Sequence, residues 1–503
     1  MKPWNIGSKE QRRILSDGPT IAECYNSLEC QHKILRSTHK DVERAIAIAR
    51  KFNDTVIKPI ALDTDRRCME DHNYLPYEFA QKAAQWGLYT MFIPKLFGGQ
   101  GVNFLAMYPF IEEISISCAG LGHVINLHYC GAATLFPSMH AGIMRKVFWD
   151  VTKSEKEGKP RLCTIVVTEP SSGTDVQEPL LIDHARPDSS VEKVKGGYVI
   201  NGKKIFISNG HLSHWHIANF QEDKNNRGES WIQFVVPNGT KGFSFGTHER
   251  KMGQLACCAS ELLFDDCFIP DNMISFRAQD PEFKNGKGSR WAGHTIVDHV
   301  TASTRTGVAA IATGMARGAY EKTLDYARHK KINGRLLINH QWAQIILTDM
   351  YRNVNISRTA YMESVYSLTL NGLFKLLFIK PVHAFINLMP RWYFRLISPV
   401  LRLKIATKIL RHVYYHSYTN EERNIASGWG SLSKFACSDL GVVNANLAMD
   451  LMGADGLRHE NSAEKFFRDA KLQQIYESTN DINRMNMFYC LVANDKPEVE
   501  FFK

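Results

Sequence analysis

Apolar residues recur at helical spacing from about His39 onward. Val42-Glu-Arg-Ala-Ile-Ala-Ile-Ala-Arg50 and Tyr77-Glu-Phe-Ala-Gln-Lys-Ala-Ala84 both return Ala, Ile or Phe every three to four positions, which predicts helices. The same texture runs to about Lys159. Between Leu162 and Ile274 it changes to short β-rich runs broken by turn residues: Cys163-Thr-Ile-Val-Val167, Tyr198-Val-Ile200, Lys204-Ile-Phe-Ile207, Trp231-Ile-Gln-Phe-Val-Val236 and Glu261-Leu-Leu-Phe264. Asn201-Gly202 is a hairpin signal between two of these runs. Helical periodicity returns near Thr301, where Gly307, Ala309, Ala310, Ala312, Gly314, Ala316 and Gly318 crowd small side chains together, as close helix packing requires. The pattern predicts an α+β multidomain chain: an extension over 1–38, a helical domain over 39–160, a central β-domain over 161–290 and a helical bundle over 291–503.

With 503 residues, 44% hydrophobic and 22% charged, the composition is that of a folded globular protein and excludes a disordered one. Met1–Glu10 lacks the apolar core of a secretory signal, so a cytoplasmic address is expected. Eleven cysteines are scattered without a CxxC pair, which predicts free thiols and no metal site; Cys257-Cys258 reads as a buried inert pair or a redox-active one.

Charge changes this picture in one place. The net charge is +10, and residues 371–420 hold eight lysines and arginines with no Asp or Glu, so the rest of the chain is nearly neutral. Its charge-free run Pro381–Pro390 is far shorter than the roughly 20 residues of a spanning helix. After Pro399, however, Lys404, Lys408 and Arg411 share one helical face, with Leu403, Ile405, Ile409, Leu410 and Val413 largely off it. That is the pattern of a helix lying on an anionic bilayer, or of an extra bundle helix with a solvated basic face. No nucleic-acid-binding module accompanies the charge.

Chemistry concentrates near the C-terminus. Ile475-Tyr-Glu-Ser-Thr-Asn-Asp-Ile-Asn-Arg484 sets Glu477 beside a hydroxyl-rich turn where an apolar helical stretch stops. A carboxylate so placed serves as a base, although the same pattern also describes a solvated Glu. Together with Ile93–Gly101, Glu112-Glu113, Val166–Asp175, Asn201–Gly210 and Thr304–Gln341, in that order, this segment resembles the acyl-CoA dehydrogenase flavoproteins over roughly residues 40–490.

The resemblance implies the order helical domain, β-barrel, helical bundle, with 371–420 as a basic amphipathic insertion. It implies FAD-dependent α,β-dehydrogenation of an acyl-CoA thioester. The base would be Glu477, with Ser478 in place of the family's Gly, and its pKa would be raised by a dry site. The Glu477 N–H and a ribityl hydroxyl of FAD would polarise the thioester carbonyl. Some members carry the base just before the first Arg of the long helix; here that position is Thr304, which cannot serve.

Flavin contacts carry over to Val167, Thr168, Thr174, Phe206, Ser208, Thr479 and Asp481. Phe206 stands where a Trp often stacks, and its alternative reading is a core aromatic. The adenine and pyrophosphate half, contacted from the neighbouring subunit, falls to Lys330, His340, Gln341, Asp450 and Gly453. Lys330 replaces an Arg and loses its bidentate fork, and Asp450 brings a negative charge towards a diphosphate. Thr174 and Arg305 fall on the substrate side with Glu477; Ala302 stands where the family has Asp, and Leu255, Cys257 and Ala259 also depart from it. The implied partners are acyl-CoA, an electron-transfer flavoprotein and further copies of the chain, as a homodimer or homotetramer. The implied place is the inner face of the cytoplasmic membrane, touched through 371–420. A flavin-dependent acyl-CoA oxidase and a non-catalytic membrane-associated scaffold of the same fold remain alternatives.

Overall fold

The computed structural model describes residues 26–31, 34–284, 286–372, 374–493, 496 and 498–500. The expected extension over 1–38 lies mostly outside the described residues, as does Cys24. Helix α1 (Asn26–Gln31) is followed by α2 (Arg36–Phe52), which passes through a π-helical turn into α3 (Lys58–Glu70). Then come α4 (Tyr77–Gln85), α5 (Met107–Ile114), α6 (Ala119–Leu135) and α7 (Ala141–Lys156). Ala45, Ala49 and Phe52 of α2 are buried at the spacing the sequence sets, on the face that lies against α5. Helix α6 is buried along its whole length and forms the centre of this layer.

Two four-stranded sheets follow. One runs in the order β1 (Leu162–Val166), β4 (Ser213–Gln221), β5 (Trp231–Pro237), β8 (Ile274–Arg277). The other runs β2 (Ser190–Val194), β3 (Gly197–Ser208), β7 (Ala259–Pro270), β6 (Phe243–His248), and a short helix, α8 (Thr174–Gln177), lies between β1 and β2. The β-barrel implied by the resemblance is not closed: among the described residues no ladder joins one sheet to the other. Aromatic side chains and single hydrogen bonds hold the sheets together, Phe220 packing on Phe234 and Phe264, Tyr198 on Phe234, and Lys204 of β3 donating to the Asn219 carbonyl of β4 at 2.8 Å.

The expected hairpin at Asn201-Gly202 is also corrected, because β3 runs straight through it. The pair sits at a register shift against β7, where the Asn201 amide exchanges hydrogen bonds with Asp266 at 3.0 and 2.7 Å. A Cβ on Gly202 would meet Ser189 Oγ at 2.4 Å, so close approach rather than a turn requires this glycine. The turn itself lies at Lys195-Gly196, between β2 and β3.

After α9 (Pro281–Lys284), helix α10 (Ser289–His329) runs 41 residues, about 60 Å. The small residues predicted to admit a neighbour do so: a Cβ on Gly314 or Gly318 would lie 2.2 Å from the Glu112 carbonyl or 1.9 Å from that of Ile116. The adjacent acids Glu112 and Glu113 tie the helical layers together. Glu112 accepts from Arg358 (3.0 Å) and Tyr361 (2.6 Å), and Glu113 from Arg50 (2.7 Å) and Arg317 (2.9 Å).

A two-stranded hairpin, β9 (Lys331–Ile332) and β10 (Arg335–Leu336), turns at Asn333-Gly334, both at positive φ. The bundle continues with α11 (Gln341–Leu370), and the segment 371–420 then forms α12 (Lys380–Leu388), α13 (Arg391–Ile397) and α14 (Lys404–His416). It closes with α15 (Asn420–Met452), α16 (Ala463–Gln473) and α17 (Asn480–Met487).

Arg411, grouped from the sequence with Lys404 and Lys408 on one exposed basic face, is instead buried. Its guanidinium pairs with Asp280 (3.2 Å) and Glu282 and donates to the carbonyls of Ser138 (3.0 Å) and Ser275 (2.7 Å). Among the described residues no helix is long and apolar enough to cross a membrane. The ten described cysteines are buried, and Cys257 and Cys258 are free thiols.

Candidate active site

Glu477 lies in the turn between α16 and α17, where it and Ser478 take φ values of 53° and 65°. Two successive non-glycine residues in the left-handed region are strained, and the surroundings must hold them there. The Asn483 amide donates to the carbonyls of Glu477 (3.1 Å), Ser478 (3.1 Å) and Thr479 (2.9 Å). Lys434 of α15, fully buried, donates to the Ser478 carbonyl at 2.7 Å and to the Asn480 side chain at 2.8 Å. Burial pulls the Lys434 ammonium down to about 7, and the nearby Arg305 charge adds to the fall. Thr479 caps α17, its hydroxyl accepting from the Ile482 N–H at 3.4 Å.

Arg305 of α10 lies beneath this turn, fully buried. It pairs with Glu178 and donates to the hydroxyls of Ser431 (2.9 Å) and Ser478 (3.2 Å). Burial pushes the Glu178 carboxyl up, opposed by the Arg305 charge. Ser478, in place of the family's Gly, is thus bound to both cations, by its hydroxyl to Arg305 and by its carbonyl to Lys434.

The Glu477 carboxylate accepts a hydrogen bond from the Thr304 hydroxyl of α10 at 2.6 Å. It also lines a cavity of about 30 Å³ with Ile165 and Val167 of the β1 segment, Trp231 of β5, and Ile296, Val297 and Val300 of α10. The Trp231 indole N–H is buried with no acceptor among the described residues. The site is therefore one carboxylate, oriented by a hydroxyl, facing a small cavity whose exposed surface is largely apolar although Thr134, Gln177, Asn219, Gln233 and Thr301 also line it.

Val167 lines that cavity, and the next residue, Thr168, joins β1 to β3 by accepting the Ile205 N–H at 2.9 Å. Immediately afterwards β3 bulges against β7 between Lys204 and Ile207, and Phe206 takes φ 57°. A bulge re-aims a side chain, and the Phe206 ring is 57% exposed, so it is not a core aromatic. Lys204 and Glu169, both buried, form an ion pair at 2.8 Å under this bulge. Ser208 is held through its carbonyl by the Thr164 hydroxyl at 2.7 Å. Thr174 opens α8, whose last residue, Gln177, meets the Ser478 hydroxyl at 3.4 Å.

Five of the other expected cofactor residues, Lys330, His340, Gln341, Asp450 and Gly453, lie elsewhere. Lys330 follows the far end of α10, about 40 Å along the helix from Thr304. There Lys330 pairs with Asp455 at 2.7 Å, which also accepts the Tyr326 hydroxyl at 2.6 Å. Gly453 follows α15 with φ 58°, Asp450 and Gln341 are exposed, and the buried His340 Nε2 has no partner among the described residues. Thr479 is exposed, and Asp481 pairs with Arg484 at 3.3 Å.

Sequence reasoning missed Glu178, Lys434 and Asn483. Lys434 had a signal: it is the one ionisable side chain apart from Cys437 between Arg423 and Asp439, in a helix of small and apolar residues. Glu178 had none, since its partner lies 127 positions away.

Family comparison agrees with this architecture. The N-terminal, middle and C-terminal domain models of acyl-CoA dehydrogenase match residues 40–138, 164–267, and 292–374 with 398–488, respectively. The short-chain specific acyl-CoA dehydrogenase of Clostridium acetobutylicum is 26% identical over 449 residues, 89% of this chain and 96% of that protein. The acryloyl-CoA reductase (NADH) of Anaerotignum propionicum is 25% identical, over 89% and 94% of the two chains. The solved butyryl-CoA dehydrogenase of Megasphaera elsdenii superposes with a TM-score of 0.68 at 20% identity, covering 91% of this chain and 98% of its own. The FAD complex of PigA gives 0.64 at 20% identity, over 91% and 98%. Fold, motif order and matched domains converge: the chain belongs to the acyl-CoA dehydrogenase family of flavoprotein oxidoreductases.

Proposed function

We propose that this protein is an FAD-dependent enzyme that desaturates an acyl-CoA thioester between its α and β carbons, Glu477 removing the α-proton. The observation that carries the reading is the Thr304–Glu477 hydrogen bond beside an apolar cavity. A carboxylate fixed by one donor keeps its other lone pairs for a substrate proton, and apolar walls keep competing water away. The Glu477 N–H has no acceptor among the described residues, which leaves it for the thioester oxygen as charge develops there.

The residues present fit FAD. Phe206 offers an exposed aromatic face two residues from the Ser208 hydroxyl, and when bound FAD supplies the acceptor for the β-hydride. At the far end of α10, Lys330 lines an open pocket of about 370 Å³, and its charge, with the His340 Nε2 that has no partner among the described residues, suits a diphosphate. Lys330 lies about 40 Å along α10 from Thr304, which supports a homodimer or homotetramer in which each site takes residues from two subunits. Electrons then pass to an electron-transfer flavoprotein. Peripheral attachment of a cytoplasmic protein to the inner face of the membrane, through 371–420, belongs to the same proposal.

The test is the visible spectrum of the purified protein before and after anaerobic addition of a panel of acyl-CoA thioesters. Bleaching of bound flavin by one of them, abolished in Glu477→Gln with flavin retained, is expected. No flavin absorbance after reconstitution with FAD, or bleaching undiminished in Glu477→Gln, would overturn it.

A further inference from the structure

The segment 371–420 is fastened to the body on one side and bare on the other. On the inner side, Lys95 donates to the carbonyls of Ile386 (3.0 Å) and Met389 (3.1 Å) at the end of α12. Ser398 receives Arg145 and Trp149 of α7 at 2.9 and 3.0 Å. Helix α14 packs through Arg411, Tyr414 and Tyr415, the last donating to the Pro137 carbonyl at 2.7 Å.

The outer side is the unexpected one. A basic amphipathic helix added to a bundle would bury its apolar stripe and leave its lysines in water. Helix α14 does not: Ile405, Ile409 and Val413, four residues apart, are 55%, 56% and 48% exposed. Lys404 and Lys408 are exposed beside them. Along the rest of the segment Leu388, Trp392, Leu396, Val400 and Leu403 are exposed as well. Single exposed apolar residues are ordinary on a soluble protein; a run of them over consecutive helices marks an interaction surface.

Charge identifies the partner. Lys380, Arg391, Arg395 and Arg402 join Lys404 and Lys408 as exposed cations, and among the described residues none of the six has a carboxylate within ion-pair distance. Exposed Leu and Ile, a Trp, and unneutralised Lys and Arg within one continuous segment have the composition of a bilayer interface: apolar side chains below the headgroups, cations among the phosphates.

We propose that residues 379–413 form a rigid docking face for an anionic phospholipid bilayer, with Ile405, Ile409, Val413, Trp392 and Leu396 entering the interface. This rests on the peripheral attachment proposed above and is independent of Glu477. It also changes the role expected for Arg411, which is a structural anchor rather than a lipid ligand.

The experiment is flotation of the full chain with vesicles of phosphatidylcholine alone and of phosphatidylcholine with one third phosphatidylglycerol. Wild type is expected to float with the anionic vesicles, and less so as salt is raised from about 0.1 M to about 0.5 M. Lys404→Glu with Lys408→Glu, and separately Trp392→Ser with Leu396→Ser, should each lower vesicle affinity at least about tenfold while thioester bleaching of the flavin is unchanged. No flotation with anionic vesicles, or flotation equal in both variants and wild type, would overturn the proposal. So would a smaller oligomer for Trp392→Ser with Leu396→Ser in sedimentation, without vesicle binding by wild type, since the face would then join copies of the chain. Flotation without flavin bleaching would leave this face standing and remove the catalytic reading instead.

Discussion

The Thr304 hydroxyl donates to the Glu477 carboxylate at 2.6 Å, across 173 positions of sequence. The family resemblance puts Thr304 where some members carry the base, and in the proposed reading that place holds the hydroxyl that orients Glu477. Thr304→Val should leave flavin content unchanged and slow substrate-driven bleaching about tenfold, the worth of one hydrogen bond that orients the carboxylate. Thr304→Ser should restore most of the rate. Stopped-flow absorbance of both variants checks this, and equal rates for Val and Ser would assign the orientation to another group.

Lys434 supplies a pH test. Burial holds its folded pKa near 7, below the ordinary 10.5, so between these values the unfolded chain binds the proton that the folded chain releases. Stability from this group therefore rises with pH from about 7 towards 10.5, and below about 7 the full cost of the buried charge is present. Lys434→Met should remove that slope while taking one donor from the Ser478 carbonyl and one from the Asn480 side chain, which keep Asn483 and Ser438, a loss of about 1–3 kcal/mol. Denaturant midpoints at about pH 6 and about pH 9 decide: the rise should be larger in wild type than in the variant.

Arg305 and Glu178 form a buried pair beneath the same turn. Glu178→Gln leaves the guanidinium charged and unpaired, which should cost about 3–5 kcal/mol of stability. Replacing both, Glu178→Gln with Arg305→Met, should recover part of that loss, because no bare charge remains. A double-mutant cycle in chemical denaturation measures the coupling, and additive losses would mean that the pair acts only through its separate contacts.

The cavity beside Glu477 has room for about one water molecule. Trp231 forms one of its walls, so Trp231→Ala should shift the most effective thioester towards a longer or bulkier acyl group. The ratio of kcat/KM values across an acyl-CoA series reads this directly. An unchanged order of preference would place the acyl group outside this cavity.

Much of this was legible in the chain itself. The order of helical, β and helical regions follows from apolar periods, and so does the placing of Glu477 just past the end of a helix, while its proposed role comes from the family resemblance. What failed depended on distance in sequence. Asn201-Gly202 has the composition of a turn, yet the pairing of β3 with β7 about 60 residues later keeps it extended as a bulge. Arg411 shares a local period with Lys404 and Lys408, but Asp280 and Glu282, some 130 positions earlier, draw it inward. Once Arg411 is buried the phase of α14 is set, and its apolar stripe must face out. A pattern of periods gives the faces of a helix without saying which one looks inward.

The continuity of α10 has a last consequence. Thr304 stands on one unbroken run of turns that ends directly before Lys330, with Gly314 and Gly318 seated against neighbouring carbonyls between them. One residue added or removed in that span would rotate one end by about 100° against the other and lift both glycines from their seats. The helix works like a gear shaft, and its tooth count cannot change. Length can change where no phase is carried, and the segment after Leu370 is such a place, with α11 already ended and α15 not begun. A new surface added there leaves the angular relation between the two ends of α10 untouched.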